Sequence, residues 1–192
     1  MIKQAVILCG GRATRLNDSA RYQPAIETPK PLIEVGGMPF VTYSMRWLEG
    51  VGVEDIYLLV LHMKDEFDSL LGWFPDKLTL VESTENPDEV ILGLKSLEGE
   101  FFLLNGDCYP VMDWRAFLNA NKPRVAVKPV GRDAGCAIVK VGDIEDKAIS
   151  CQNIAGMRSL YQEYMIEGGL HIGTQQGLQR ARMYMDIVVF GQ

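Results

Sequence analysis

The sequence has no long apolar run, only two histidines, no paired cysteine motif and no basic excess. No stretch approaches the roughly 20 apolar residues a membrane helix needs. The opening "MIKQAVILCGG" also lacks a cleavable apolar core with a small-residue exit. The expectation is a soluble, cytoplasmic protein with no membrane partner. Cys9, Cys108, Cys136 and Cys151 form no C-x-x-C pair and have no histidines at zinc-finger spacing. This excludes a metal knuckle or a disulfide framework and predicts buried thiols. The formal net charge of −6 argues against general binding of nucleic acid, which needs a basic patch or stripe. Internal repeats, low-complexity tracts and linkers are also missing.

What is present is 192 residues at 47% hydrophobic and 23% charged, enough for one domain that buries a full core. The charge is uneven. Residues 1 to 31 carry Lys3, Arg12, Arg15, Arg21 and Lys30 against Asp18 and Glu27, a local excess of +3 in an acidic chain. A basic, glycine-containing loop in such a chain points to a site for a small anion.

Short, near-continuous apolar runs at "KQAVILC" (3–9), "DIYLLVL" (55–61), "KLTLVE" (77–82) and "EFFLLNGD" (100–107) predict strands covered on both faces. Helical periods lie between them. Phe40, Tyr43, Trp47, Leu48 and Val51 share one face, Phe67, Leu70 and Leu71 form a shorter one, and Asp88 is expected to cap a helix carrying Val90, Ile91, Leu94 and Leu97. Beyond residue 120 the pattern weakens. "RVAVKPV" and "CAIVKVG" read as strands, "KAISCQ" as another candidate, and "TQQGLQRARMYM" (174–185) as a helix capped by Thr174. The alternation predicts an α/β fold, helices on both faces of a mostly parallel sheet.

Ligands in such folds bind outside the carboxyl ends of the strands. The loop "GGRATRL" (10–16) and the "NGD" turn (105–107) both stand there. Gly10 and Gly11 permit close approach of backbone amides, while Arg12 and Arg15 supply charge and forked donors for phosphate. The loop matches neither G-x-x-x-x-G-K-[ST] nor G-x-G-x-x-G. Taken alone, a plain tight turn explains the glycines as well as a phosphate site does.

The company of the loop decides between them. "GGRATRL" (10–16), "TPKPLIEVGGMPFVTYSMRWL" (28–48), "LNGD" (104–107) and "GGLHIGTQQGLQRAR" (168–182) follow one another in the order seen in sugar-phosphate nucleotidyltransferases, which the sequence resembles. It looks most similar to the small bacterial mannose- or heptose-1-phosphate guanylyltransferase type. The resemblance implies a Rossmann-like three-layer α/β/α sandwich. It divides 1–192 into a nucleotide-binding half (1–120) and a shortened sugar-binding half (121–192). It also implies transfer of a nucleoside monophosphate from a triphosphate to a sugar 1-phosphate, with release of pyrophosphate.

The residue roles follow from the same resemblance. Leu8, Gly10, Gly11, Arg12, Thr14 and Arg15 line the nucleotide, with Glu82 or Glu85 near the base or ribose. Arg15 stabilises the departing pyrophosphate, and Lys30 bridges the reacting phosphates from a turn stiffened by Pro29 and Pro31. Asp107 is the metal ligand, for Mg²⁺ or Mn²⁺. Lys30 and Asp107 are both expected on a solvent-facing rim. A turn lysine and an Asn-Gly-Asp turn without ligand are the plain alternatives.

Three departures from the family pattern stand out. His171 occupies the place of the second metal carboxylate, which implies a metal held by Asp107 and phosphates alone, a changed metal preference, or lost activity. "STENPDEVILGLKSL" (83–97) replaces a glycine-rich segment. The sugar half is short, so the substrate is small or unusual, a second copy closes the site as a homo-oligomer, or the chain binds nucleotide without turnover. A non-catalytic nucleotide- or sugar-phosphate-binding homologue is therefore the competing reading.

Overall fold

The computed structural model describes residues 2–11, 28–119, 124–127, 133–166 and 168–190. Strand β1 (Gln4–Leu8) leads to a short hairpin, β2 (Glu34–Val35) and β3 (Met38–Pro39), and then to helix α1 (Val41–Gly50). Next come β4 (Asp55–Val60), β5 (Leu78–Glu82), α2 (Pro87–Leu92), β6 (Glu100–Asn105), β7 (Cys108–Val111) and α3 (Trp114–Asn119). The chain continues through β8 (Arg124–Val127), β9 (Asp133–Lys140), α4 (Val141–Glu145), β10 (Gln162–Met165), β11 (Gly168–His171) and α5 (Gln175–Phe190). Single 3₁₀ segments occupy Lys30–Leu32, Lys64–Leu70 and Ile154–Ser159. Among the described residues no helix is long and apolar enough to cross a membrane.

Seven strands form one sheet in the order β10-β8-β9-β6-β1-β4-β5. β9 runs antiparallel to both neighbours, and every other pairing is parallel. The continuous apolar runs are explained by burial on both faces. Ala5, Ile7, Ile56, Leu58, Phe102 and Leu104 point to one core, shared with α1 and Phe67. Val6, Tyr57, Leu59, Phe101 and Leu103 point to the other, shared with Ile91 of α2, Ile144 of α4 and Ile154. Helical elements therefore cover both faces, and the mostly parallel α/β sheet expected from the sequence is present.

A third core, Ile33, Val35 and Phe40 with Ile172, Leu178, Ala181 and Met185, fastens α5 against the β2–β3 hairpin. Thr174 caps α5, its Oγ1 accepting from the Gly177 amide at 3.1 Å.

Other expectations are corrected. Asp88 is not a cap: it lies inside the first turn of α2, and its Oδ1 accepts from the Cys151 amide at 2.7 Å. The helix stops at Leu92, and Leu97 reaches the second core from the following loop. "KAISCQ" is not a strand, because Asp88 ties it down as a turn. The Phe67 and Leu70 segment is 3₁₀, with Leu71 exposed. The buried face of α1 includes Met45, which the sequence pattern passed over.

Candidate active site

The site grows from the register of three parallel strands. Leu8 of β1 stands opposite Leu59 of β4 and Asn105 of β6, so the carboxyl ends of all three are level. The chain leaves β1 through Cys9, Gly10 and Gly11. The Cys9 amide still bonds the Leu59 carbonyl at 2.8 Å, and the Gly106 amide bonds the Leu8 carbonyl at 2.9 Å. These bonds bring the first loop and the "NGD" turn together on one rim, as predicted from the strand ends.

A cleft of about 370 Å³ opens there, within the size range of small-molecule sites. Leu8, Gly10, Gly11, Lys30 and Asp107 line it, joined on the far wall by Ser83, Thr84, Glu85 and Gln152. Glu82, the last residue of β5, is exposed and outside this lining, whereas its neighbour Glu85 is inside it. Arg12, Thr14 and Arg15 lie outside the described residues. The sequence carried no signal for Gln152, which arrives from a turn about seventy residues beyond β5. Cys108, also missed, stands directly after Asp107.

Lys30 begins the 3₁₀ segment that follows Pro29, with Pro31 inside it. The two prolines hold the backbone in a narrow range and direct the lysine inward. Its side chain is only 6% exposed, so it is a buried cation facing the cleft and not a rim residue. A buried ammonium requires a counter-charge. Asp107 provides it, with Nζ 3.7 Å from Oδ2.

Asp107 is the hub. His171 Nε2 lies 3.2 Å from Oδ2, and the Cys108 thiol donates to Oδ1 at 3.4 Å. Burial pushes the Asp107 carboxyl up. The hydrogen bond and charge of His171, the charge of Lys30 and the Cys108 bond outweigh it and hold the carboxyl below its ordinary value. The buried Cys9 thiol is pushed well up, by burial first and then by the Asp107 charge. Cys9 is therefore an inert wall of the cleft and not a nucleophile.

His171 reaches Asp107 because β11 pairs antiparallel with β7, His171 opposite Cys108, and the Ile172 amide bonds the Asp107 carbonyl at 3.0 Å. One oxygen of Asp107, Cys108 Sγ and one His171 ring nitrogen all lie within 4.8 Å of one another. A carboxylate on a strand end beside an imidazole and facing the cleft fits a divalent cation.

Gly106 makes the arrangement possible. A Cβ there would stand 2.8 Å from Cys9 Sγ, 3.1 Å from Pro31 Cγ and 3.2 Å from the Leu8 carbonyl. Gly106→Ala is expected to force the turn outward, costing about 1–3 kcal/mol of stability by overpacking. It should also move Asp107 away from Lys30. Denaturant unfolding of the variant checks the loss of stability, and an unchanged midpoint would refute it.

Comparison with known proteins bears on the fold and the family. A heptose guanylyltransferase of Campylobacter jejuni, D-glycero-alpha-D-manno-heptose 1-phosphate guanylyltransferase, is 25% identical over 181 residues, 90% of this chain and 76% of that protein. CMP-5'-(3-aminopropyl)phosphonate synthase of Streptomyces rubellomurinus is 32% identical over 111 residues. There the match takes 54% of this chain but only 17% of the relative, so this chain spans a small part of that protein. Among solved structures, HddC from Yersinia pseudotuberculosis, crystallised with GMP-PN, superposes with a TM-score of 0.73 at 20% identity, covering 95% of this chain and 99% of that one. That likeness establishes the fold, Rossmann-like as expected. The pattern of the MobA-like NTP transferase domain matches residues 5–111, which contain β1, Lys30 and Asp107. With more than half its length matched, the chain belongs to the MobA-like NTP transferase domain family.

Proposed function

We propose that this protein transfers a nucleoside monophosphate from a triphosphate to a sugar 1-phosphate, giving a nucleotide sugar and pyrophosphate. The observation that carries the reading is the buried Lys30 paired with Asp107 at 3.7 Å in the lining of a cleft at the carboxyl ends of β1 and β6. A buried cation beside a cation-binding carboxylate suits a polyphosphate lying over both, held by the lysine directly and by the carboxylate through a divalent ion.

The attacking oxygen belongs to the sugar phosphate, and pyrophosphate leaves in line, so the protein needs no covalent nucleophile. Gly10 and Gly11 offer backbone close to the nucleotide. Lys30 neutralises the charge growing on the transferred phosphoryl group from a side chain itself largely removed from water. Arg15, in this reading, meets the departing pyrophosphate. Glu85, with Ser83 and Thr84, faces the nucleoside end in place of the glycine-rich segment usual there. Asp107 and His171 would hold a divalent cation, which when bound draws charge from the phosphate oxygens. The heptose-specific relative favours a guanosine triphosphate and a heptose or hexose 1-phosphate as the first pair to try.

One observation favours a second reading, a non-catalytic nucleotide-binding homologue: an imidazole stands where a second carboxylate is usual. The deciding experiment is pyrophosphate release from each of the four ribonucleoside triphosphates and thymidine triphosphate. It is run with a panel of hexose and heptose 1-phosphates and Mg²⁺ or Mn²⁺. Release that requires one triphosphate, one sugar phosphate and Asp107, and is lost in Asp107→Asn, is the expected result. Triphosphate binding with no release across the panel would establish the second reading instead.

A further inference from the structure

We propose that Cys108 is a third protein ligand beside Asp107 and His171, and that the centre therefore takes a borderline transition ion of the zinc or cobalt class in preference to magnesium. This rests on the nucleotidyltransferase reading only for the cation's place at the cleft. The donor set is a property of this chain.

The geometry is already close. Sγ lies 3.4 Å from Oδ1 and Nε2 lies 3.2 Å from Oδ2, with all three donors inside a 4.8 Å span. A tetrahedral ion about 2.0–2.3 Å from each donor sets its ligands roughly 3.4–3.7 Å apart. Small side-chain rotations close the difference.

Two glycines clear the space in which the donors stand. Gly135, at φ +71°, has no Cβ where one would lie 2.7 Å from Cys108 Sγ. A Cβ on Gly173 would overlap Cε1 and Nε2 of His171. Either side chain would drive its neighbour out of position. The antiparallel pairing of His171 with Cys108 then fixes both donors from opposite strands.

The chemistry of the donors sets the preference. Magnesium prefers hard oxygen ligands in an octahedron, whereas thiolate and imidazole suit zinc and cobalt. Three protein ligands leave a fourth position open, the arrangement found in catalytic zinc centres, and a phosphate oxygen can fill it. Binding releases the thiol proton to solvent and the thiolate takes its place on the ion. Lys30 beside Oδ2 repels any dication alike, so it lowers affinity for cobalt and magnesium together and does not create the preference.

The test is titration of the purified protein with Co²⁺, without nucleotide, with Zn²⁺ and Mg²⁺ as competitors. The expected spectrum has a thiolate-to-cobalt charge-transfer band in the near ultraviolet and visible d–d bands of a four-coordinate ion. Equimolar Zn²⁺ should displace them and a large excess of Mg²⁺ should not. Cys108→Ser should remove the charge-transfer band and weaken Co²⁺ by more than the roughly 10–100-fold lost when an outer-shell partner is changed. His171→Gln should weaken binding similarly while a saturated sample keeps the band, with circular dichroism verifying that each variant is folded. A wild-type Co²⁺ complex without the band, or displacement by Mg²⁺ at comparable concentration, overturns the proposal. The two readings fail separately. The band without pyrophosphate release on the same substrate panel run with Co²⁺ and Zn²⁺ as well as Mg²⁺ and Mn²⁺ sinks only the transferase, and Mg²⁺-driven transfer with no band sinks only the Cys108 ligand.

Discussion

Lys30→Met is expected to lower kcat by about 10²–10³, the usual loss when one preorganised group that stabilises developing charge is removed. Methionine keeps the apolar stem of the side chain out to Cε, so the 3₁₀ segment Lys30–Leu32 stays packed. What disappears is a single positive charge on a side chain that is almost fully buried. The KM for triphosphate should rise less than kcat falls, because the lysine acts most where charge grows in the transition state. Lys30→Arg should not restore the rate. The guanidinium is larger and its planar fork does not fit a side chain that is 6% exposed and held between Pro29 and Pro31. Steady-state pyrophosphate release on the wild-type protein and both variants is the measurement. A variant with wild-type kcat at saturating substrates would remove Lys30 from the proposed mechanism.

The second large effect is on stability. Phe102 is fully buried on β6, the strand between β1 and β9, and its ring meets Trp47 of α1 edge-on at 5.5 Å and 87°. Phe102→Ala removes a ring from the first core at the point where the helix docks onto the sheet. The expected cost is about 3–5 kcal/mol, set by lost transfer energy and the cavity left behind. Against a total stability of roughly 5–15 kcal/mol, that is enough to unfold a marginal protein. For a chain of this size it corresponds to a fall in Tm of roughly 6–20 °C. Thermal and denaturant unfolding monitored by circular dichroism read it directly. A loss under about 1 kcal/mol would mean that the core collapses around the gap, contrary to dense packing on a central strand.

Much of the fold was legible because burial on both faces of a parallel strand leaves a plain mark. "AVIL", "IYLLV" and "FFLL" carry no polar alternation, and each feeds two cores by turns. Local chemistry also sufficed at Thr174, where a hydroxyl three residues before Gly177 closes the first turn of α5. Asp88 misled for an instructive reason. A capping residue and a first-turn residue look alike in sequence, and the carboxylate was taken by the Cys151 amide, sixty-three positions away. The same bond turned "KAISCQ" from a candidate strand into a loop.

At the site, Lys30 and Asp107 could be singled out because both sit in short motifs that carry the family resemblance. That Lys30 would be buried was not legible, since nothing within "TPKP" reports what packs over it. Glu85 and Gln152 enter the cleft lining through pairing and loop closure between distant segments, for which a single chain shows no local sign.

The sequence by itself determined the layered sheet, the placing of polar loops at its carboxyl edge and the identity of the cation and carboxylate there. Hydrophobic pattern and turn chemistry are local, and they act before the chain is folded. The tertiary structure alone decided that Asp107 would share its oxygens with His171, Cys108 and Lys30. Those contacts depend on β11 returning to pair with β7 across some sixty residues, and on glycines at 106, 135 and 173 that leave room for the groups to meet.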